Sequence, residues 1–81
     1  MLIVIPDMGA INLDNVKTIR IQEKSDATYI FFDDDYVKFS DKSDAMRVFG
    51  GIVGSYQQEL RVFFISFGVP DLKVGGKFAY S

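Results

Sequence analysis

Val16-Lys17-Thr18-Ile19-Arg20-Ile21-Gln22-Glu23, Lys24-Ser25-Asp26-Ala27, Thr28-Tyr29-Ile30-Phe31-Phe32, Asp33-Asp34-Asp35, Tyr36-Val37-Lys38-Phe39 is the stretch that decides the fold. Its β-branched and aromatic runs at 16–23, 28–32 and 36–39 are separated by two short clusters of turn formers. Successive side chains of a strand point to opposite faces, so register can be tested by arithmetic. A two-residue turn at Ser25-Asp26 sets Ile21 opposite Ile30 and Ile19 opposite Phe32. A turn at Asp34-Asp35 sets Phe32 opposite Val37 and Ile30 opposite Phe39. Both turns place Ile19, Ile21, Ile30, Phe32, Val37 and Phe39 on one face. Two independent turns that select the same apolar face predict an antiparallel meander. The second turn is chemically the weaker, because neither of its central residues is Gly or Asn.

A sheet with one apolar face needs a cover, and the next segment supplies it. Ser40-Asp41-Lys42-Ser43-Asp44 reads as a helix start, with Ser40 or Asp41 capping free N–H groups and Asp44 complementing the dipole. Ala45, Phe49, Ile52, Val53, Tyr56 and Leu60 follow at helical spacing and predict the buried stripe, with Arg47, Gly50, Gly51, Gly54 and Gln58 on the other side. Each glycine costs about 1 kcal/mol relative to Ala in a helix interior. The three are therefore expected either to admit a second backbone at close range or to break the helix near Gly50-Gly51.

Flanking this unit, Leu2–Ile5 reads as a strand ended by Pro6-Asp7, with a turn at Met8-Gly9 and a polar approach over 12–15. Residues 62–67 form a short apolar strand with Phe63, Ile65 and Phe67 on one side and Val62 and Phe64 on the other. Gly68-Val69-Pro70 ends it, and Gly75-Gly76 marks a hairpin within 72–80, so residues 70–81 are expected to be a flexible hairpin or tail. The expectation is a single α+β domain over residues 1–81: an antiparallel sheet of four to six strands, one helix across one face, and a C-terminal strand or hairpin.

The 81 residues contain no histidine and no cysteine. That removes the commonest acid–base group near neutral pH, the thiolate nucleophile and the usual transition-metal ligands. Gly50-Gly51-Ile52-Val53-Gly54 lacks the Lys-Ser/Thr ending of a phosphate loop, and the serines have no histidine partner. The Asp33-Asp34-Asp35 cluster lacks the ligand order and central Gly of an EF-hand. No catalytic residue, metal site or cofactor is expected, and the chain reads as a non-enzymatic protein. Its net charge is −2 with no basic run, which does not advertise nucleic acid. The apolar opening lacks a basic n-region, and no stretch approaches the ~20 apolar residues of a membrane span, so a soluble, cytoplasmic protein without a membrane partner is expected.

The surface left over is unusual. The meander register puts Arg20, Gln22, Tyr29, Phe31, Tyr36 and Lys38 on the face away from the helix. With 48% hydrophobic residues in so short a chain and no disulfide to reinforce it, self-association is expected, most simply as a homodimer. Tyr29, Phe31 and Tyr36, with Phe63, Ile65 and Phe67 from the C-terminal strand, would supply apolar contact area to a second copy or an unidentified protein partner. Arg20 and Lys38 would orient it from the rim. Two alternatives use the same residues: single-stranded nucleic acid stacked on the aromatic face, and a small-molecule pocket between helix and sheet.

The opening Ile11-Asn12-Leu13-Asp14-Asn15-Val16-Lys17-Thr18-Ile19, the alternating strands, the acidic turn and Ser40-Asp41-Lys42-Ser43-Asp44-Ala45 resemble small uncharacterised bacterial and phage proteins. In those, an Asn-containing opening leads into a three-stranded meander closed by an Ala-bearing helix. The resemblance runs from Ile11 to Tyr56. It implies this architecture and an accessory or mobile-element origin, and gives no residue a role.

Overall fold

The computed structural model describes residues 1–5, 9–65 and 69–71, the last three by backbone alone. The fold is α+β, with one α-helix and two sheets among the described residues. Strands β3 (Ile19–Glu23), β4 (Thr28–Phe32) and β5 (Asp35–Phe39) form the predicted meander. A last short strand joins at its edge, β7 (Val69–Asp71), giving the order β3-β4-β5-β7. The second sheet has the order β2-β1-β6, from β1 (Leu2–Ile5), β2 (Gly9–Asn12) and β6 (Val62–Phe64). A single turn of 3₁₀ helix at Leu13–Asn15 links the two sheets.

The first hairpin has the predicted register, Ile21 opposite Ile30 and Ile19 opposite Phe32. The second is displaced by two residues. Its loop is Asp33-Asp34, so Phe32 faces Asp35 and Ile30 faces Val37. Asp33 takes the turn's left-handed conformation at φ 56, where aspartate is tolerated better than most residues. Its carboxylate accepts hydrogen bonds from the Lys17 and Thr18 N–H groups at 3.1 and 2.9 Å, holding the entry to β3 against the turn. Moving a turn by one residue shifts the pairing by two, which preserves which side chains share a face. Ile30, Phe32, Val37 and Phe39 are accordingly buried, and Asp35, expected in the turn, is buried as the first residue of β5.

The helix α1 (Lys42–Gln57) begins where predicted. Asp41 is the N-cap, accepting from the Ser43 N–H and hydroxyl at 2.9 and 2.8 Å. Those bonds, the hydroxyl's first, hold the Asp41 carboxyl below its ordinary pKa. The helix is unbroken through Gly50-Gly51. Its buried stripe is Ala45, Val48 and Ile52, with Phe49 half-buried. That corrects the predicted stripe, which is rotated away from Val48: Val53 and Tyr56 are exposed, and Leu60 lies beyond the helix end, where Glu59 turns the chain at φ 60.

The predicted antiparallel sheet of at least four strands is β3-β4-β5-β7, and a second sheet stands beside it because β6 pairs with β1 and not with the meander. The β1–β6 pairing is parallel, with Ile3 beside Phe63 and Val4 beside Phe64. Parallel pairing needs a long crossover, and the intervening meander and helix provide one. β2, read from sequence as turn and approach, pairs antiparallel with β1. Ile3, Ile5, Ile11 and Ile65 thereby join Ile30, Phe32, Val37, Phe39, Ala45, Val48 and Ile52 in one core. Gly51 makes this junction: a Cβ there would sit 2.8 Å from the ring of Phe63. Gly50 and Gly54 face open space. The glycines thus neither admit a second backbone nor break the helix; Gly51 alone makes room, and for the Phe63 ring of the same chain.

Substitution tests this. Gly50→Ala and Gly54→Ala should each raise stability by up to about 1 kcal/mol, since alanine favours the helix and meets nothing. Gly51→Ala must displace the Phe63 ring, and its denaturation midpoint in urea should fall below those of both other variants.

Candidate interaction site

Five strand positions and one flanking loop build the outer face of the four-stranded sheet. β3 contributes Arg20, β4 contributes Tyr29 and Phe31, and β5 contributes Tyr36 and Lys38. Register sets Arg20 opposite Phe31, Phe31 opposite Tyr36 and Tyr29 opposite Lys38. The three rings touch one another. Tyr29 stacks on Phe31 at 5.9 Å between centroids, meets Tyr36 edge-on at 5.2 Å, and Tyr36 lies 5.5 Å from Phe31. Such pairs add about 0.5–1.5 kcal/mol beyond burial, so the cluster stiffens the sheet as well as presenting a surface.

Cations lie over these rings. The Arg20 guanidinium is 4.2 Å from the Phe31 centroid, and the Lys24 ammonium is 5.0 Å from Tyr29 and 5.6 Å from Phe31. Lys24 was not singled out from sequence, because it was read only as a turn residue; its position just after β3 brings it back over the face. The Arg20 fork also donates to the Gln22 side-chain oxygen at 3.1 Å. At the far corner Asp26 accepts from the Tyr29 hydroxyl at 2.9 Å and pairs with Lys38 at 3.6 Å. The Tyr29 hydrogen bond, aided by Lys38, holds the Asp26 carboxyl below its ordinary range, and the same bond raises the Tyr29 phenol.

The described C-terminal candidates, Phe63 and Ile65, lie in and beside β6 of the other sheet. Phe63 is half-buried against Gly51, and Ile65 belongs to the core, its N–H donating to the Val4 carbonyl at 2.8 Å. Neither side chain lies on the aromatic face, because β6 belongs to the other sheet and turns that side toward the helix. Phe67 lies outside the described residues, as does the predicted hairpin at 72–80. The exposed side of β6 is the opposite one: Phe64 is 64% exposed and Val62 41%. Tyr56 and Leu60, at 63% and 48%, continue this apolar surface from the helix end. Tyr56, Leu60 and Val62 line an open groove of about 900 Å³ that also takes in Leu2, Asn12 and Arg61.

A smaller cleft of about 250 Å³ lies between helix and sheet, lined by Leu13, Val16, Ile19, Ile52, Val53 and Tyr56 with Lys17 as its one charged group. It is smaller than the usual small-molecule site and lacks converging polar groups. The aspartates have local duties. Asp33 ties turn to strand, Asp26 bonds Tyr29, Asp41 caps the helix and Asp44 pairs with Arg47 at 3.4 Å. Among the described residues no three acidic side chains gather as a metal site, and no helix is long and apolar enough to cross a membrane.

Comparison with known proteins gives no relationship: no family model, curated protein or solved structure matches the chain.

The Asp26–Tyr29 bond fixes two titrations. Tyr29 should ionise above its ordinary value of 10.0, and Asp26→Asn should bring it back down; ring resonances of Tyr29 followed by NMR against pH measure both. Because the folded Tyr29 pKa is raised, its contribution to stability is full below the unfolded value and is lost as pH rises through the folded one. Asp26 has the opposite sense. Its pKa is depressed, so its contribution is full above the unfolded value and is lost as pH falls through the folded one.

Proposed function

We propose that this chain is a non-enzymatic interaction module that self-associates through the apolar surface of Tyr56, Leu60, Val62 and Phe64. The aromatic face of the other sheet is then left for a protein partner. One observation carries the reading: of the six large hydrophobic side chains exposed among the described residues, all but Met46 and Val53 lie at the helix end and on the outer side of β6. The rings first singled out, Tyr29, Phe31 and Tyr36, are half-buried against one another and under Arg20 and Lys24. A contiguous apolar surface on a small soluble chain marks an interaction site. Its aromatic and aliphatic anchors, with Glu59 and Arg61 at the rim, have the make-up of an interface core and its border.

The aromatic face suits a second contact. Arg20, Lys24 and Lys38 against Asp26 leave it positive within a chain of net charge −2. An acidic protein surface fits such a patch, with the rings as contact area and the cations at the rim. Single-stranded nucleic acid is the second reading for this face, favoured by the same combination of rings and cations. It is the weaker one, because Arg20 and Lys24 already lie over the rings that bases would stack on.

Light scattering across a concentration series tests the proposal. The native chain should have a dimer's mass at high concentration. Phe64→Lys and Leu60→Glu, both at exposed positions, should be folded and shift the series to monomer by at least tenfold in dissociation constant. A monomeric native chain at every concentration would reject the self-association.

A further inference from the structure

We infer that the second copy is held by strand pairing: β6 of one molecule adds antiparallel to β6 of the other, with Phe63 on the two-fold axis. This rests on the self-association reading and specifies its geometry. The described residues contain four sheet edges, and three are defended. β3 carries the exposed Arg20, Gln22 and Glu23. β7 contains Pro70, which has no N–H to offer, and Asp71. β2 has Gly9, Ala10 and Ile11 buried. β6, Val62-Phe63-Phe64, has no charge and no proline, and no second strand lies beside it among the described residues.

The hydrogen bonds of β6 say which of its groups are available. Leu2 N–H donates to the Arg61 carbonyl and Ile65 N–H to the Val4 carbonyl, so residues 61, 63 and 65 face β1. The N–H and C=O of Val62 and of Phe64 therefore point away from β1, toward the open edge. An antiparallel partner satisfies all four groups only if its own outward residues have the same spacing. A second β6 does this in one register, Val62 opposite Phe64 of the other copy and Phe64 opposite its Val62. Two such pairs form two hydrogen bonds each, and Phe63 meets its equivalent at the non-bonded position between them.

The same register solves the side-chain problem. Cross-strand neighbours on one face stand about 5 Å apart, so each exposed Phe64 ring is laid over the other copy's Val62. The result is a continuous six-stranded sheet, β2-β1-β6 followed by its symmetry mate, closed by two-fold symmetry. A partner of unrelated sequence shares the ladder spacing, as every strand does, but would have to reproduce this reciprocal packing as well. The chain's own β6 has both by construction.

The absence of native cysteine allows a direct test. Val62→Cys and Phe64→Cys proteins are prepared separately, mixed and oxidised mildly, with light scattering on each. Facing residues in this register lie within disulfide reach, whereas each residue and its own equivalent lie a diagonal step further apart. The expected result is a dimer in which the mixture forms cross-linked Val62→Cys/Phe64→Cys heterodimers in large excess over either protein alone. A dimer whose mixture cross-links no better than its components overturns the pairing while leaving self-association standing. A monomer under all conditions, with unmutated protein included, overturns both.

Discussion

Everything in this molecule depends on the Phe63 ring lying against Gly51, the one of the helix's three glycines whose missing Cβ makes room for a neighbour. The described residues hold one α-helix and two sheets, and a helix of sixteen residues offers only one apolar stripe. The meander takes most of it. The second sheet joins the same core because β6 approaches at Gly51, where a methyl group would already be 2.8 Å from the ring. Seen this way the glycine's helical penalty offsets something specific: without the approach, Ile3, Ile5 and Ile65 would need a cover of their own.

That constraint also sets the surfaces. Once Phe63 and Ile65 are turned inward, the pleat forces Val62 and Phe64 outward, and parallel pairing with β1 leaves their backbone groups at an edge. On the other sheet, the helix occupies the face of Ile30 and Val37, so Tyr29, Phe31 and Tyr36 must lie on the outside, where they pack on one another and collect Arg20 and Lys24. Both candidate surfaces follow from how one short helix is shared.

The meander was legible because its information is local. Alternation fixes faces, and even a turn misplaced by one residue preserves them, which is why Ile30, Phe32, Val37 and Phe39 are core in both the reading and the structure. The helix start was legible for the same reason, through Asp41. The stripe was not, since helical spacing allows neighbouring faces and the choice of Val48 over Val53 is made by packing against two sheets, which has no local signature. The split of β6 into two sides was readable, but both sides are apolar, so the sequence did not say which faced the core. Its parallel partner is separated from it by the whole meander and helix, and periodicity carries no record of such pairings. Among the candidate site residues, Arg20, Tyr29, Phe31, Tyr36 and Lys38 came together through strand register alone. Lys24 was missed because loop residues reach the face only by the path of the turn.

Amide hydrogen exchange on dilute and concentrated protein addresses the central claim, that one core holds both sheets and leaves β6 as the open edge. The Leu2 and Ile65 amides, bonded across β1–β6, should exchange as slowly as the Ile30 amide of the meander's inner strand. The Val62 and Phe64 amides should exchange freely in dilute solution and become protected as the concentration rises. Rapid exchange at Leu2 and Ile65 with Ile30 protected would mean that the sheets do not share a core. Protection of Val62 and Phe64 at every dilution would mean that the edge is already covered by the chain itself.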